Sequence, residues 1–317
     1  MSLTVYRQEA FETPLETVGG ELAGPWRAPR QMLADQSYDS HASIHDDATA
    51  QKLGFKGGTI EGPTHFSQFA PLGEAVFGRD WLPSGCVSAH YRNAVYEGEQ
   101  VRAFMGEPDA GGLAPIRMEK RDGTEVLRGT ASIGDAGPTA LEARLAALPP
   151  LEQPVLLSAL KIGQRGPMHP VRMAMDQHMG ELYPFTLRQK LERITEPSAW
   201  YAGDSPLGGP IIPMEMLSVL LAYTSRTGGW KVRGPSVGLF ADQEIRLGDG
   251  PIFVGEELEI EREIVALSGS KRTESVWTRT RAYRPRSDRP AVTMLLNSAT
   301  LKDSYAAYEA DRAALYG

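Results

Sequence analysis

Three short stretches of this 317-residue chain recur in the same order later on, and that repetition limits it to folds built from two like units. Gly62-Pro63 opens one apolar run, and Gly208-Gly209-Pro210 opens another, Ile211 to Tyr223, at an offset of 147. Trp81 is answered by Trp230 at an offset of 149, and Tyr96-Glu97-Gly98-Glu99-Gln100-Val101 by Phe253-Val254-Gly255-Glu256-Glu257-Leu258 at 157. Rising offsets are what a duplicated unit acquires through small insertions.

Within each unit the pattern is a helix followed by strands. Phe66, Phe69, Val76 and Phe77 recur at roughly helical spacing, with Pro71 expected to kink or end a regular helix. Strands are expected at Leu3 to Tyr6, Cys86 to Val95, Gln100 to Met105, Ile116 to Lys120 and Glu125 to Ile133. The last two flank Asp122-Gly123, a two-residue turn that favours a hairpin. Gly134 to Pro154, with an alanine-rich helix (Ala140 to Ala147), reads as a linker, and long strands at Ser275 to Tyr283 and Ala291 to Leu301 close the second unit. The second helix, around Met214, Met216, Leu217, Leu220 and Leu221, is apolar all round and is expected to be a buried packing partner.

The chain is long enough for two modules, and no apolar run approaches the ~20 residues of a membrane span. Its first residues have neither a basic start nor an apolar stretch, and a single cysteine, Cys86, cannot form an internal disulfide, so a cytoplasmic location is expected. A net charge of −7 without a basic stripe argues against nucleic acid as a partner.

The two units differ in one place. Tyr38 to Gln68 holds three of the six histidines, several acidic residues and a Gly-Pro helix start, whereas AWYAGDSPLGGP in the second unit is short and has no histidine. A polar loop, a short helix (Ala48 to Leu53), a glycine turn and a second helix at Gly62 follow in order. A helix start of this kind turns free N–H groups and a positive dipole end toward whatever lies above it, which suits an oxygen gaining negative charge. Glu61 and His65, four apart, share a helix face and either contact each other or frame the pocket; the alternatives are that Glu61 simply caps the helix and that His65 is a satisfied core histidine. His41-x3-His45 would align two metal ligands only on a helix, and the loop shows no helical pattern, so no metal is expected. Arg92, within Tyr91-Arg92-Asn93, suits a phosphate or carboxylate; on a strand, only one face of the three residues would reach a pocket.

The order of polar loop, short helix ending in Leu53-Gly54-Phe55, glycine turn and X-Gly opening a central helix resembles the MaoC-like (R)-specific enoyl-CoA hydratases. Tyr91-Arg92-Asn93 and the aromatic-x-Gly-Glu turn look like that family's post-helix strand and turn. The resemblance covers about residues 35 to 105. It implies an α+β double hot-dog, two antiparallel sheets each wrapping a central helix, with modules at 1–145, carrying the site, and 155–317. Set on the family's motif, Asp39 takes the place of its aspartate and Gly62 that of its oxyanion glycine. The family's histidine falls on Ile44 with His45 adjacent, and Glu61 stands where the family has the histidine of its His-Gly.

The resemblance implies a hydro-lyase that adds or removes water at an enoyl thioester or related conjugated carbonyl. Such chemistry needs proton-handling groups, here Asp39 with His45 or His41, and N–H donors for the enolate oxygen, here Gly62. Glu61 is a further catalytic candidate; His65, Tyr91, Arg92 and Asn93 are candidates for substrate binding. No cofactor is expected beyond the CoA or acyl-carrier protein that bears the acyl group. A hot-dog thioesterase, using Glu61 or Asp39 to activate water, and a catalytically silent acyl-thioester-binding protein are the alternatives. A homodimer is expected from the prevalence of twofold assemblies.

Overall fold

A strand with one covered face alternates buried and exposed side chains. The pattern is plain in Glu257–Gly269, where Leu258, Ile260, Arg262 and Ile264 are buried while Glu257 and Glu259 are exposed. The structure, a computed structural model, describes residues 8–36 and 43–317. The strand expected at Leu3 to Tyr6 lies outside the described residues.

Strands β1 (Glu16–Val18) and β2 (Glu21–Ala23) form a short hairpin. Helix α1 (Asp47–Lys52) follows, with the Asp46 side chain accepting from the Thr49 N–H as its N-cap. A 3-10 helix, Gly62–Phe69, runs into α2 (Ala70–Phe77), and α3 (Trp81–Ser84) ends this helical stretch. Pro71 sits in the first turn of α2, where its missing N–H costs nothing, so the expected kink is a change from 3-10 to α geometry. Next come β3 (Gly85–Tyr91), β4 (Val101–Met105), β5 (Ala114–Lys120) and β6 (Glu125–Ile133). Helix α4 (Ala140–Ala146), β7 (His169–Arg172), α5 (Leu187–Leu191) and α6 (Met214–Ala222) lead into the long strands. These are β8 (Gly238–Leu247), β9 (Glu257–Gly269), β10 (Thr273–Tyr283) and β11 (Pro290–Leu301), and α7 (Tyr308–Tyr316) is last.

Among the described residues, all eleven strands join one antiparallel sheet in the order β1-β2-β4-β5-β6-β3-β8-β11-β10-β9-β7. From the β3–β8 seam outward the two halves read alike: β6, β5, β4, β2 on one side and β11, β10, β9, β7 on the other. Pairing β3 with β8 removes an open edge from each half. At the seam, fully buried Asp242 accepts from His90 Nδ1 at 2.6 Å and Asn297 Nδ2 at 2.7 Å, and lies 3.1 Å from Arg144 Nε. A buried carboxylate with three donors is fully satisfied.

The repeated turn is the same object twice. In both copies the aromatic N–H bonds the glutamate three residues on, and that glutamate's N–H returns to the aromatic carbonyl: Tyr96 with Glu99 (both 3.0 Å) and Phe253 with Glu256 (2.9 and 3.1 Å). Gly98 and Gly255 between them have φ of +85° and +82°, which a side chain would strain. The other two echoes need correction. Ile60 N–H bonds Val95 O and Ile212 N–H bonds Ile252 O, both at 2.8 Å, so Ile212 is the counterpart of Ile60 and Met214, not Gly209, that of Gly62. Trp81 is buried in the first half's core, whereas Trp230 borders a cavity.

The segment between the halves is packed down. Helix α4 has a Thr139/Glu142 capping box and buries Leu141 against Trp277 and Leu295, on the sheet face away from α6. Among the described residues no helix is long and apolar enough to cross a membrane.

Candidate functional site

A cavity of about 530 Å³ opens where the Gly62 turn, the end of β3 and the second half of the sheet meet. Every described candidate borders it: His45, Glu61, Gly62, His65, Tyr91, Arg92 and Asn93, together with Ile44. Asp39 and His41 lie outside the described residues.

The His45 ring is held by Thr59. Its Nδ1 lies 2.8 Å from Thr59 O, and because a carbonyl only accepts, Nδ1 carries the proton. In neutral His45 the lone pair is therefore on Nε2, which makes no hydrogen bond among the described residues. Gly58 makes this possible, since a Cβ there would lie 2.3 Å from His45 O. Thr59 N–H also bonds Ile44 O at 3.0 Å, so the one-residue offset from the family pattern leaves Ile44 tied through its backbone and the His45 ring at the cavity.

Gly62 begins the 3-10 helix, and its N–H has no hydrogen-bond acceptor among the described residues. A Cβ on Gly62 would stand 2.6 Å from Tyr91 Cζ, so the ring packs directly on this backbone. Tyr91 OH donates to Gln243 Oε1 at 3.0 Å, and Gln243 Nε2 donates to Ser218 Oγ of α6 at 2.6 Å. Burial raises the phenol well above its ordinary pKa, so Tyr91 acts as a neutral donor.

Glu61 holds the N-cap position of the 3-10 helix, but its side chain does not cap it. Its side chain makes no bond to the helix N–H groups and instead accepts Met32 N–H at 2.8 Å, tying the preceding segment to the turn. Thr64 Oγ1 donates to the other Glu61 oxygen at 3.4 Å and accepts from Lys190 Nζ at 2.8 Å, and Lys190 lies 3.6 Å from Glu215. Burial raises the Glu215 pKa, and Lys190 opposes the rise. His65 is buried, its Nδ1 has no hydrogen-bond partner among the described residues, and burial beside Lys190 brings its pKa down to about 3. It is a neutral imidazole near pH 7 and cannot serve there as a proton donor of imidazolium type.

The strand expected to reach Val95 ends at Tyr91. Arg92 and Asn93 N–H both turn to Val126 O (2.8 and 3.3 Å), so strand alternation stops and all three residues of Tyr91-Arg92-Asn93 border the cavity. Arg92 Nε is 3.5 Å from Glu125 and half exposed, at the rim.

The second half has no counterpart of the His45 loop, yet it forms much of the wall through Phe240, Arg262, Thr278, Thr280, Met294 and Leu296. Sequence reasoning also missed Glu215 and Ser218, the polar residues of the otherwise apolar α6. A signal existed for Arg262, a charge on the inward face of Leu258-x-Ile260-x-Arg262-x-Ile264.

No protein-family model and no curated protein matches the chain. Among solved structures it is similar to a protein from Chloroflexus aurantiacus J-10-fl described as a MaoC domain dehydratase, at 15% identity and a TM-score of 0.50, covering 95% of this chain and 99% of the other. A MaoC-like dehydratase is matched at 15% identity and TM-score 0.45, over 81% and 87% of the two chains. A conserved Mycobacterium tuberculosis protein described as a double hot-dog is matched at 13% identity and TM-score 0.45, over 81% and 86%. At such identities the likeness speaks to the fold, and together with the mirrored strand order around two central helices it makes this chain a double hot-dog.

Proposed function

We propose that the chain is a hydro-lyase that adds water to, or removes it from, an enoyl thioester at the His45–Gly62 end of the cavity. The observation that carries this reading is the pairing, in one cavity, of a histidine whose tautomer is set by Thr59 O with a helix-start N–H that has no acceptor. In the hydration direction the thioester carbonyl accepts from Gly62 N–H, and His45 Nε2 takes a proton from water as its oxygen bonds to Cβ. The enolate oxygen stays on Gly62 N–H until a proton reaches Cα, and Asp39 is our choice as the second proton-handling group. Tyr91, fixed by Gln243, keeps the Gly62 backbone in place.

A thioesterase using Glu61 as base is the weaker reading, since one Glu61 oxygen is engaged by Met32 N–H. A series of enoyl-CoA thioesters starting from crotonyl-CoA separates the possibilities. Loss of enone absorbance without thiol release supports hydration; thiol release would mean hydrolysis, and binding with neither would mean a silent binder.

A further inference from the structure

The cavity has a second arm whose chemistry differs from that of the His45–Gly62 end. Its floor is the inner face of β9, β10 and β11, where ladder register sets Arg262 beside Thr280 and Thr280 beside Met294. The next rows along the same face hold Thr278 beside Leu296 and Val276 beside Ser298. Tyr91 ends β3, and β9 is four strand spacings away across β8, β11 and β10, roughly 19 Å along the sheet.

Arg262 is 3% exposed and has no carboxylate partner among the described residues. Its Nη2 donates to Leu221 O (2.7 Å) and Thr224 Oγ1 (2.9 Å), and its Nη1 to Thr224 O (3.1 Å), with His169 Nε2 at 3.4 Å. These bonds cap the end of α6, but carbonyls and a hydroxyl carry only partial charge. A buried cation without a counter-ion is costly, and here burial draws the guanidinium down to about 10. The hydroxyls of Thr278, Thr280 and Ser298 make no hydrogen bond among the described residues, so this wall presents a full positive charge and free hydroxyls to the cavity, with no acid.

We propose that this arm receives a carboxylate at the end of the acyl chain remote from the thioester, with Arg262 as its partner, so that the preferred substrate is the monothioester of a dicarboxylic acid. The inference rests on reading the cavity as an acyl-thioester site. A CoA phosphate is a poorer match for Arg262: phosphates bring several charges, and the arm offers one cation that is almost wholly shielded from solvent.

Calorimetric titration with CoA thioesters of 2-enedioic acids of increasing length, each against the methyl ester of the same compound, tests it. CoA is common to each pair, so any preference reads the acyl end alone. At the best length the free acid should bind at least about tenfold tighter than its ester, the factor one charge-assisted hydrogen bond supplies. Arg262→Met should abolish that preference and Arg262→Lys retain part of it. Equal binding of acid and ester in the unaltered protein at every length overturns the inference and leaves the acyl-thioester reading intact. A preference that survives in Arg262→Met also overturns it. No binding of any thioester overturns the underlying reading and the inference with it. Should Arg262→Met fail to fold, the acid-against-ester comparison and Arg262→Lys still decide.

Discussion

The two halves share a strand order and differ in what lies against the sheet. In the first, eight residues of 3-10 helix and eight of α-helix bring Phe66, Phe69 and Leu72 down on the strands, and α3 adds Trp81, all essentially fully buried. The fit is tight enough that a Cβ on Gly73 would lie 2.1 Å from Trp81. In the second, α6 has nine residues and the chain then reaches β8 through one short 3-10 turn (Ser225–Gly228) and irregular backbone, so Thr278, Met294 and Leu296 face a cavity instead of a helix. One topology thus serves as a filled core on one side and a hollow on the other. The filled half carries the proton chemistry we propose at its rim, and the hollow half supplies the volume.

That division of labour can be broken most sharply at His45. His45→Ala should lower kcat on a confirmed substrate by about 10²–10⁴-fold while circular dichroism and Tm stay near those of the unaltered protein. A loss below about tenfold would move the chemistry away from the first half's rim. Asp39→Asn should act similarly, and the double substitution should be little worse than either alone, because groups working as one unit are not additive.

Gly62→Ala comes next. Its new Cβ would meet the Tyr91 ring and shift the N–H we assign to the enolate oxygen, for an expected loss of about 10²–10³-fold in kcat. Combining it with Tyr91→Ala relieves the clash. Full recovery of kcat in that combination would show that the N–H needs no support from the ring.

Stability sharpens the comparison further. Phe69→Ala opens a cavity in the filled half and should cost about 3–5 kcal/mol in denaturant unfolding. Met294→Ala, on a wall that already faces a cavity, should cost less than about half of that, because part of its surface has no packing partner to lose. Equal losses would mean that the hollow half is as tightly packed as the filled one.

The smallest effect expected is on pH dependence. His65 titrates near 3 when folded and near 6.5 when unfolded, so between these values the unfolded chain binds the extra proton. Stability from this group is therefore complete above about pH 6.5 and falls as the pH drops toward 3, by on the order of 1–2 kcal/mol at pH 5. His65→Gln should flatten that part of the stability profile; an unchanged slope between pH 6.5 and 5 would exclude His65 as its source.

Much of the architecture was legible in the chain because local physics writes it there. Alternation marks strands such as β9, the Asp122-Gly123 turn marks a hairpin, and Gly98 and Gly255 repeat one left-handed turn in both halves. The Gly-Pro start at Gly62 and the histidines before it were legible for the same reason: each is a local departure from an otherwise apolar pattern. What only the tertiary structure decided is how side chains from distant segments meet. Met32 N–H occupies Glu61, Gln243 steadies Tyr91 from 152 residues away, and Arg262 reaches the same cavity as His45. These pairings depend on the β3–β8 seam and on the early end of α6, and neither has a periodic signature. Register across a seam follows from total packing of both halves, so no window of sequence holds it.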